Sequence, residues 1–196
     1  MQKARFNRLA ARMRSCHKCG LGPGIHAIFG RFDSPKWMLI GQAPGKQEMA
    51  LDKPFAGPAG KRLFRWLGQA GFNEEKFRSF CYLTAVMKCF PGSGTRGDLR
   101  PSRKQLENCV RFLEQELEIV RPGVLIPVGK LAIERFLGKQ KLIDVIGRRF
   151  VENIQGRETV VIPLPHPSGA SAWTNAASNQ RLIARAIHLI RDLRSA

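Results

Sequence analysis

The sequence predicts an α/β fold, a three-layer α/β/α sandwich built around a central, mostly parallel sheet. Apolar runs of strand length alternate along the chain with amphipathic segments of helix length. Two loops, residues 41–45 and 166–168, each directly follow an apolar run, as loops at the carboxyl edge of a parallel sheet do. The 196 residues are 43% hydrophobic, so we expect one domain, residues 1–196, that begins with a cysteine-containing segment.

The individual elements follow from apolar periodicity and from the residues that begin or end a helix. Ser102 is expected to cap the long helix that follows it, and Gly71 to end an earlier one. Helices are predicted at residues 2–14, 60–71, 103–120, 130–137 and 179–194. Strands are predicted at residues 37–40, 80–88, 124–128, 149–154 and 159–164.

The charge of the chain indicates the kind of partner it binds. Lys and Arg number 33 against 15 Asp and Glu, which gives a formal net charge of +18. Such an excess favours a polyanionic partner, and DNA or RNA is the natural candidate. The sequence contains no run of about 18 or more apolar residues, so no membrane span is predicted. We therefore expect a monomer that binds nucleic acid and not a membrane.

Four of the five cysteines are spaced like ligands of a metal centre. Cys16 and Cys19 form a CxxC pair, and Cys89 and Cys109 flank a loop rich in Pro, Gly and Arg. Thiolates at this spacing suit either a zinc ion or an iron–sulfur cluster, and the spacing does not choose between them. Cysteines without a disulfide framework indicate a reducing cytoplasm. Cys81, at the head of a strand, is interpreted as a buried core thiol.

The two loops and the cysteines together resemble the uracil-DNA glycosylase superfamily. Gly41-Gln42-Ala43-Pro44-Gly45 is similar to its first motif and His166-Pro167-Ser168 to its third, and the cysteine pattern is similar to that of the iron–sulfur families 4 and 5. The resemblance implies a DNA glycosylase that hydrolyses the N-glycosidic bond of uracil, or of other deaminated bases, in base-excision repair. It also implies a [4Fe-4S] cluster on the four cysteines, with zinc as the alternative.

The resemblance assigns the chemistry to three residues. His166 would donate a hydrogen bond to O2 of the departing base, where negative charge develops. Gln42 stands where family 4 usually has a glutamate, and a neutral amide can orient water but cannot act as a base. Glu48, a few residues further on, could supply a carboxylate. Which of Gln42 and Glu48 positions the water stays open.

Three further positions are assigned to the base itself. The first loop, with Gly41 and Ala43, would hold the base. Phe55 matches the aromatic residue that stacks on a flipped base, with packing at a loop hinge as the alternative interpretation. Ala85 replaces the asparagine that reads the Watson–Crick edge in family 4, and family 5 has a similarly small residue there. Discrimination between uracil and hypoxanthine or xanthine therefore stays open.

The remaining assignments concern the DNA backbone and the duplex. Ser168 would hold the phosphate next to the lesion. Trp173 would fill the gap left by the flipped nucleotide, and packing against the last helix is the rival interpretation. Arg96 and Arg100, in the loop after Cys89, could contact phosphates. That loop contains no histidine, so covalent trapping of an abasic sugar, as in related uracil-DNA binding proteins, is not expected.

Two other function classes stay open. A noncatalytic lesion-binding protein on the same fold is favoured by Gln42 and Ala85, because both depart from the family 4 pattern. A zinc-dependent nucleic-acid module is compatible with the cysteines alone.

The net charge generates a first prediction. Because binding to undamaged duplex is expected to release counterions from several phosphates, its affinity should fall steeply as salt rises. The slope of log affinity against log salt, measured by fluorescence anisotropy, should correspond to several phosphate contacts. An affinity that barely changes between low and physiological salt would contradict the assignment of a nucleic-acid partner.

Overall fold

The computed structural model describes residues 1–95, 97–169 and 171–194, and Arg96 and Ala170 lie outside the described residues. Its central sheet has five strands, in the spatial order β2-β1-β5-β7-β6. β1, β2, β5 and β7 pair in parallel, and β6 pairs with β7 antiparallel. The strands are β1 Trp37–Gly41, β2 Cys81–Ala85, β3 Ser93–Gly94, β4 Gly97–Asp98, β5 Val124–Pro127, β6 Phe150–Ile154 and β7 Arg157–Val161, of which β3 and β4 form a separate small hairpin.

The helices cover both faces of this sheet. They are α1 Gln2–Arg14, α2 Lys46–Leu51, α3 Pro58–Gln69, α4 Glu74–Phe80, α5 Arg103–Val120, α6 Lys130–Leu137, α7 Leu142–Val145, α8 Ala172–Asn175 and α9 Ala177–Arg194. The five predicted helices are present, and α2, α4, α7 and α8 are short additions of four to seven residues. Ser102 caps α5 as predicted, with its hydroxyl accepting from the N–H of Gln105 at 3.3 Å. In the part of the chain that the structure describes, no helix has the length and apolar character needed to cross a membrane.

Alternate residues of β1 face two separate core layers, which confirms the predicted three-layer sandwich. Leu39 packs in a layer with residues of α3, α4 and α9, and Met38 and Ile40 pack in the other with residues of α1 and α5. Because β1 is buried on both faces, its sequence is a continuous apolar run and does not alternate.

Two predicted strands were too long. β2 ends at Ala85 and not at residue 88, where the chain turns and the Lys88 side chain enters the core. β7 ends at Val161 because Pro163 and Pro165 have no N–H to give to a ladder. A single parallel bridge between Val128 and Leu164 nevertheless keeps the following loop in line with the sheet.

A buried polar network joins β2 to α5. Lys88 and Glu116 are 1% and 0% exposed and form an ion pair at 2.5 Å. The Tyr82 hydroxyl donates to the Glu116 carboxylate at 2.6 Å, and the Thr84 hydroxyl lies 3.1 Å from the same oxygen. Within a core, such charges are tolerated only when each is paired and hydrogen-bonded.

This network generates a stability prediction. Glu116→Gln leaves the Lys88 charge buried without its counter-charge, so the free energy of unfolding should fall by about 3–5 kcal/mol. The matched control is Glu107→Gln on the same helix, which breaks the exposed ion pair with Arg103 and should cost less than about 1 kcal/mol. Urea unfolding followed by circular dichroism measures both, and equal losses in the two variants would contradict the account.

Candidate active site

The loops that follow β1 and β7 leave the sheet at the same edge, because both strands pair in parallel with β5 between them. They line one cleft of about 990 Å³. The structure brings the following predicted site residues to this cleft: Gly41, Gln42, Ala43, Glu48, Phe55, Ala85, His166 and Ser168.

The backbone of the first loop is fixed by the end of β2. The carbonyl of Gly41 accepts from the N–H of Val86 at 2.9 Å, and that of Gln42 accepts from the N–H of Met87 at 3.0 Å. The Gln42 side chain is partly exposed and lines the cleft. Its amide is therefore available to a ligand while the backbone that carries it stays in place.

The Glu48 carboxylate joins two loops of the cleft. One oxygen accepts from the N–H of Gly45 at 3.1 Å, and the other accepts from the N–H of Gly57 at 2.7 Å. Both glycines lie close to this carboxylate, since a Cβ atom added to Gly57 would stand 3.0 Å from it. Glu48 thus connects the first loop to the segment that carries Phe55.

Phe55 has a positive φ of 53°, which is rare for a residue with a side chain. Its ring lies against the backbone of Gly41, where an added Cβ atom would stand 2.8 Å from the ring. The ring is partly exposed and lines the cleft. The cleft therefore has an aromatic ring beside Gly41, the first residue of the first loop.

His166 also lines the cleft, against a glycine that the sequence analysis missed. Gly129 follows β5 with a φ of 87°, and an added Cβ atom would stand 3.3 Å from the His166 Cβ. The N–H of Gly129 donates to the carbonyl of Leu164 at 2.8 Å, which aligns the loop that carries His166. The signal in the sequence was a glycine directly after a buried strand, at the same sheet edge as the two loops.

The electrostatic surroundings of His166 favour its neutral form. The side chain reaches solvent, yet the walls of the cleft remove enough water to lower its pKa from the usual value of 6.5. The positive charge of Arg100 lowers the pKa further, and Glu48 opposes this effect. At neutral pH the imidazole is therefore uncharged and carries one N–H donor.

The loop after His166 is docked onto α3 by an arginine that the sequence analysis also missed. Arg62 donates to the carbonyl of Ser168 at 2.9 Å and to the side chain of Asn175 at 3.0 Å. The carbonyl of Ser168 also accepts from the hydroxyl of Thr174 at 3.3 Å. Ser168 is thereby fixed at the edge of the cleft.

Trp173 is not among the described residues that line the cleft. Its side chain is partly buried against the core layer that includes α9, and its carbonyl accepts from the side chain of Asn179 at 3.0 Å. Leu99, which the sequence analysis did not single out, is 49% exposed and lines the cleft beside Arg100. Leu99 is thus an exposed apolar side chain at the cleft.

Ala85 contributes a methyl group and no side-chain donor or acceptor to the cleft. Its carbonyl accepts from the Lys88 ammonium at 2.5 Å. The neighbouring Thr84 hydroxyl is bound within the network of Lys88 and Glu116. A polar base edge at this position therefore has to be read by other groups, such as the first loop.

The four spaced cysteines line a second, small cavity of about 20 Å³, together with apolar residues of the N-terminal segment and α5. Burial raises the pKa of Cys89 to about 12, and the neighbouring thiols of Cys109, Cys16 and Cys19 add to the effect. Burial likewise raises the pKa of Cys109. In the described residues, no group of three or more His, Cys, Asp or Glu is arranged to hold one metal ion.

The fold and the cleft define an α/β protein whose candidate ligand site lies between the loops after β1 and β7. The chain belongs to the uracil-DNA glycosylase superfamily, whose family model matches residues 29–191. The resemblance inferred from the loops and cysteines is thereby confirmed.

Several relatives carry this family's name. A type-4 uracil-DNA glycosylase of Saccharolobus solfataricus is 29% identical over 170 residues, which cover 83% of this chain and 75% of that protein. A type-4 uracil-DNA glycosylase of Pyrobaculum aerophilum is 30% identical over 163 residues, which cover 80% of this chain and 79% of that protein. A type-5 uracil-DNA glycosylase of Pyrobaculum aerophilum is 28% identical over 106 residues, which cover 48% of this chain and 45% of that protein.

The surroundings of His166 generate a titration prediction. Arg100→Gln removes a positive charge that disfavours the imidazolium, so the pKa of His166 should rise toward 6.5. The charge-conserving control, Arg100→Lys, should leave it nearly unchanged. Nuclear magnetic resonance of the histidine ring protons measures both values, and a pKa above 6.5 in the unsubstituted protein would contradict the described environment.

Proposed function

We propose that this protein is a monofunctional DNA glycosylase that hydrolyses the N-glycosidic bond of uracil in DNA during base-excision repair. The observation that carries the proposal is the convergence of His166, Phe55 and the first loop on one cleft, in a chain of this family. The type-4 relatives named for the same activity support it. We also propose that it acts on DNA as a monomer in the cytoplasm.

The chemistry rests on stabilising the departing base. Cleavage of the bond between C1′ and N1 leaves uracil as an anion with charge on O2. A neutral His166 keeps one N–H to donate to that oxygen, and one preorganised donor of this kind contributes about 3–4 kcal/mol to catalysis. The lowered pKa of His166 supports this role because the donor is present across the neutral range.

Gln42, and not Glu48, is the better candidate for orienting the attacking water. Both carboxylate oxygens of Glu48 accept backbone N–H groups, so its position is set by the two loops that it joins. The Gln42 side chain lines the cleft on a fixed backbone. Its amide can accept from the water or donate to the base, which suffices where the leaving group is stable.

Phe55 would stack on the flipped base, and Ser168 would bind the adjacent phosphate. Ala85 offers no group that distinguishes the Watson–Crick edge of uracil, so hypoxanthine and xanthine are further candidate substrates. For the duplex gap, the packed position of Trp173 leaves the exposed Leu99 as the more accessible apolar side chain.

The donor set of the second cavity fits a [4Fe-4S] cluster. Four thiolates are the ligand set that such a cluster takes, with each thiolate bound to a different iron atom. The four cysteines line one cavity, which supports this proposal. A cluster held by Cys16, Cys19, Cys89 and Cys109 would supply a cross-link between the N-terminal segment, the end of β2 and α5.

A second candidate function is noncatalytic recognition of uracil-containing DNA. It is favoured by Gln42, which lacks the carboxylate that family 4 usually has at that position, and by Ala85, which lacks the amide. The same cleft and the same stacking residue would serve either function.

The division of labour between His166 and Gln42 tests the glycosylase proposal. His166→Ala should lower the single-turnover rate of uracil excision by about 10²-fold or more, as expected for loss of one preorganised donor. Gln42→Ala should cost less, and Gln42→Glu should leave the rate equal or higher. A His166→Ala variant that excises uracil at the rate of the unsubstituted protein would refute the assigned role.

The cysteines generate a prediction that needs no substrate. Protein purified without oxygen should be brown, with broad absorbance at about 400 nm, and should contain iron and sulfide. Cys109→Ala should lose the colour and much of the stability, whereas Cys81→Ala should keep the colour because Cys81 is buried in the other core layer. A colourless protein with stoichiometric zinc would reject the cluster.

A further inference from the structure

The backbone of Phe55 is held in an unfavourable conformation by its surroundings. Its φ of 53° lies in the left-handed region, which a residue with a side chain occupies only where neighbouring groups enforce it. Such conformations are concentrated at functional sites. The question is which groups enforce it here.

Arg78, on α4, binds the two carbonyls that flank this strained position. One guanidinium nitrogen donates to the carbonyl of Pro54 at 2.9 Å, and another donates to the carbonyl of Phe55 at 3.1 Å. The third nitrogen, Nε, donates to Glu74 at 2.9 Å. All three guanidinium nitrogens are therefore used, and the side chain is 16% exposed.

Two further contacts fix this arrangement. The guanidinium of Arg78 lies over the ring of Phe64, with its carbon 4.5 Å from the ring centre. Gly60 of α3 approaches so closely that an added Cβ atom would overlap the carbonyl of Phe55. The Phe55 backbone is thus confined between α3 and α4.

The same conformation directs the ring. The ring lies against Gly41, the first residue of the first loop. Two residues after Phe55, the N–H of Gly57 donates to Glu48, which holds this segment in place. Arg78 does not itself line the cleft in the described part of the chain. Its hydrogen bonds connect it to the cleft through Pro54 and Phe55, which both line the cleft.

We propose that Arg78 is a positioning residue for base stacking, which holds Phe55 in its left-handed conformation so that the ring faces the bound base. The identity of the bound base rests on the proposed function. The positioning of Phe55 by Arg78 rests on the geometry alone. It also explains why an arginine suits this position. A planar guanidinium holds its N–H groups in a fixed arrangement that reaches both carbonyls and Glu74, and a lysine ammonium does not.

A double-mutant cycle tests the proposal. Arg78→Lys should raise the enzyme concentration needed for half-maximal single-turnover excision of uracil by about tenfold, the scale of losing one base–aromatic stack. In a Phe55→Ala background the same substitution should have little further effect, because its route of action is gone. Equal losses in both backgrounds, or no loss in either, would overturn the proposal.

The matched controls separate positioning from charge and from folding. Arg65→Gln removes a positive charge from an exposed position on α3 and should not reproduce the dependence on Phe55. Glu74→Gln removes the charge that pairs with Arg78. It should raise the half-maximal enzyme concentration by less than Arg78→Lys does. Thermal unfolding of each variant identifies any loss that comes from instability.

A structural readout distinguishes failure of this inference from failure of the proposed function. In a crystal structure of the Arg78→Lys variant, Phe55 should leave the left-handed region and its ring should move away from Gly41. An unchanged Phe55 would overturn the inference whether or not the unsubstituted protein excises uracil. A protein that excises no base, with Phe55 displaced in the variant, would refute the function and keep the positioning role.

Discussion

The parallel pairing of β1, β5 and β7 is the constraint on which the rest of the site depends. It sends the loops after β1 and β7 out of the same sheet edge, on either side of the glycine that follows β5. Residues distant in sequence, Gln42 and His166, thereby line one cleft. If β5 ran antiparallel to its two neighbours, Gly129 would lie at the opposite edge of the sheet, away from both loops.

The loops of the cleft are bound to each other as well as to the sheet. The first loop is held by the backbone beyond β2 and by Glu48, and the Phe55 segment is held by Glu48 and Arg78. Preorganised groups of this kind stabilise developing charge without having to reorganise during the reaction. The φ of Phe55 is unfavourable, and the ring that it carries lines the cleft.

Much of this could be predicted from the sequence, because the signals were local. The apolar runs before residues 41 and 166 predicted the sheet edge, and Ser102 predicted the start of α5. Arg62 and Arg78 could not be found in this way, since their roles come from contacts with residues far along the chain. The packed position of Trp173 was undecided for the same reason, because its partners lie on α9 and in the core.

The central claim is that this cleft removes a base and does not only bind it. The most direct measurement incubates the unsubstituted protein with duplexes that are identical except for one uracil, hypoxanthine, xanthine or thymine, followed by alkaline cleavage of abasic sites. The account predicts strand cleavage at uracil and none at thymine, with the other two bases defining the substrate range. Tight binding of the uracil duplex with no cleavage of any of the four would contradict it.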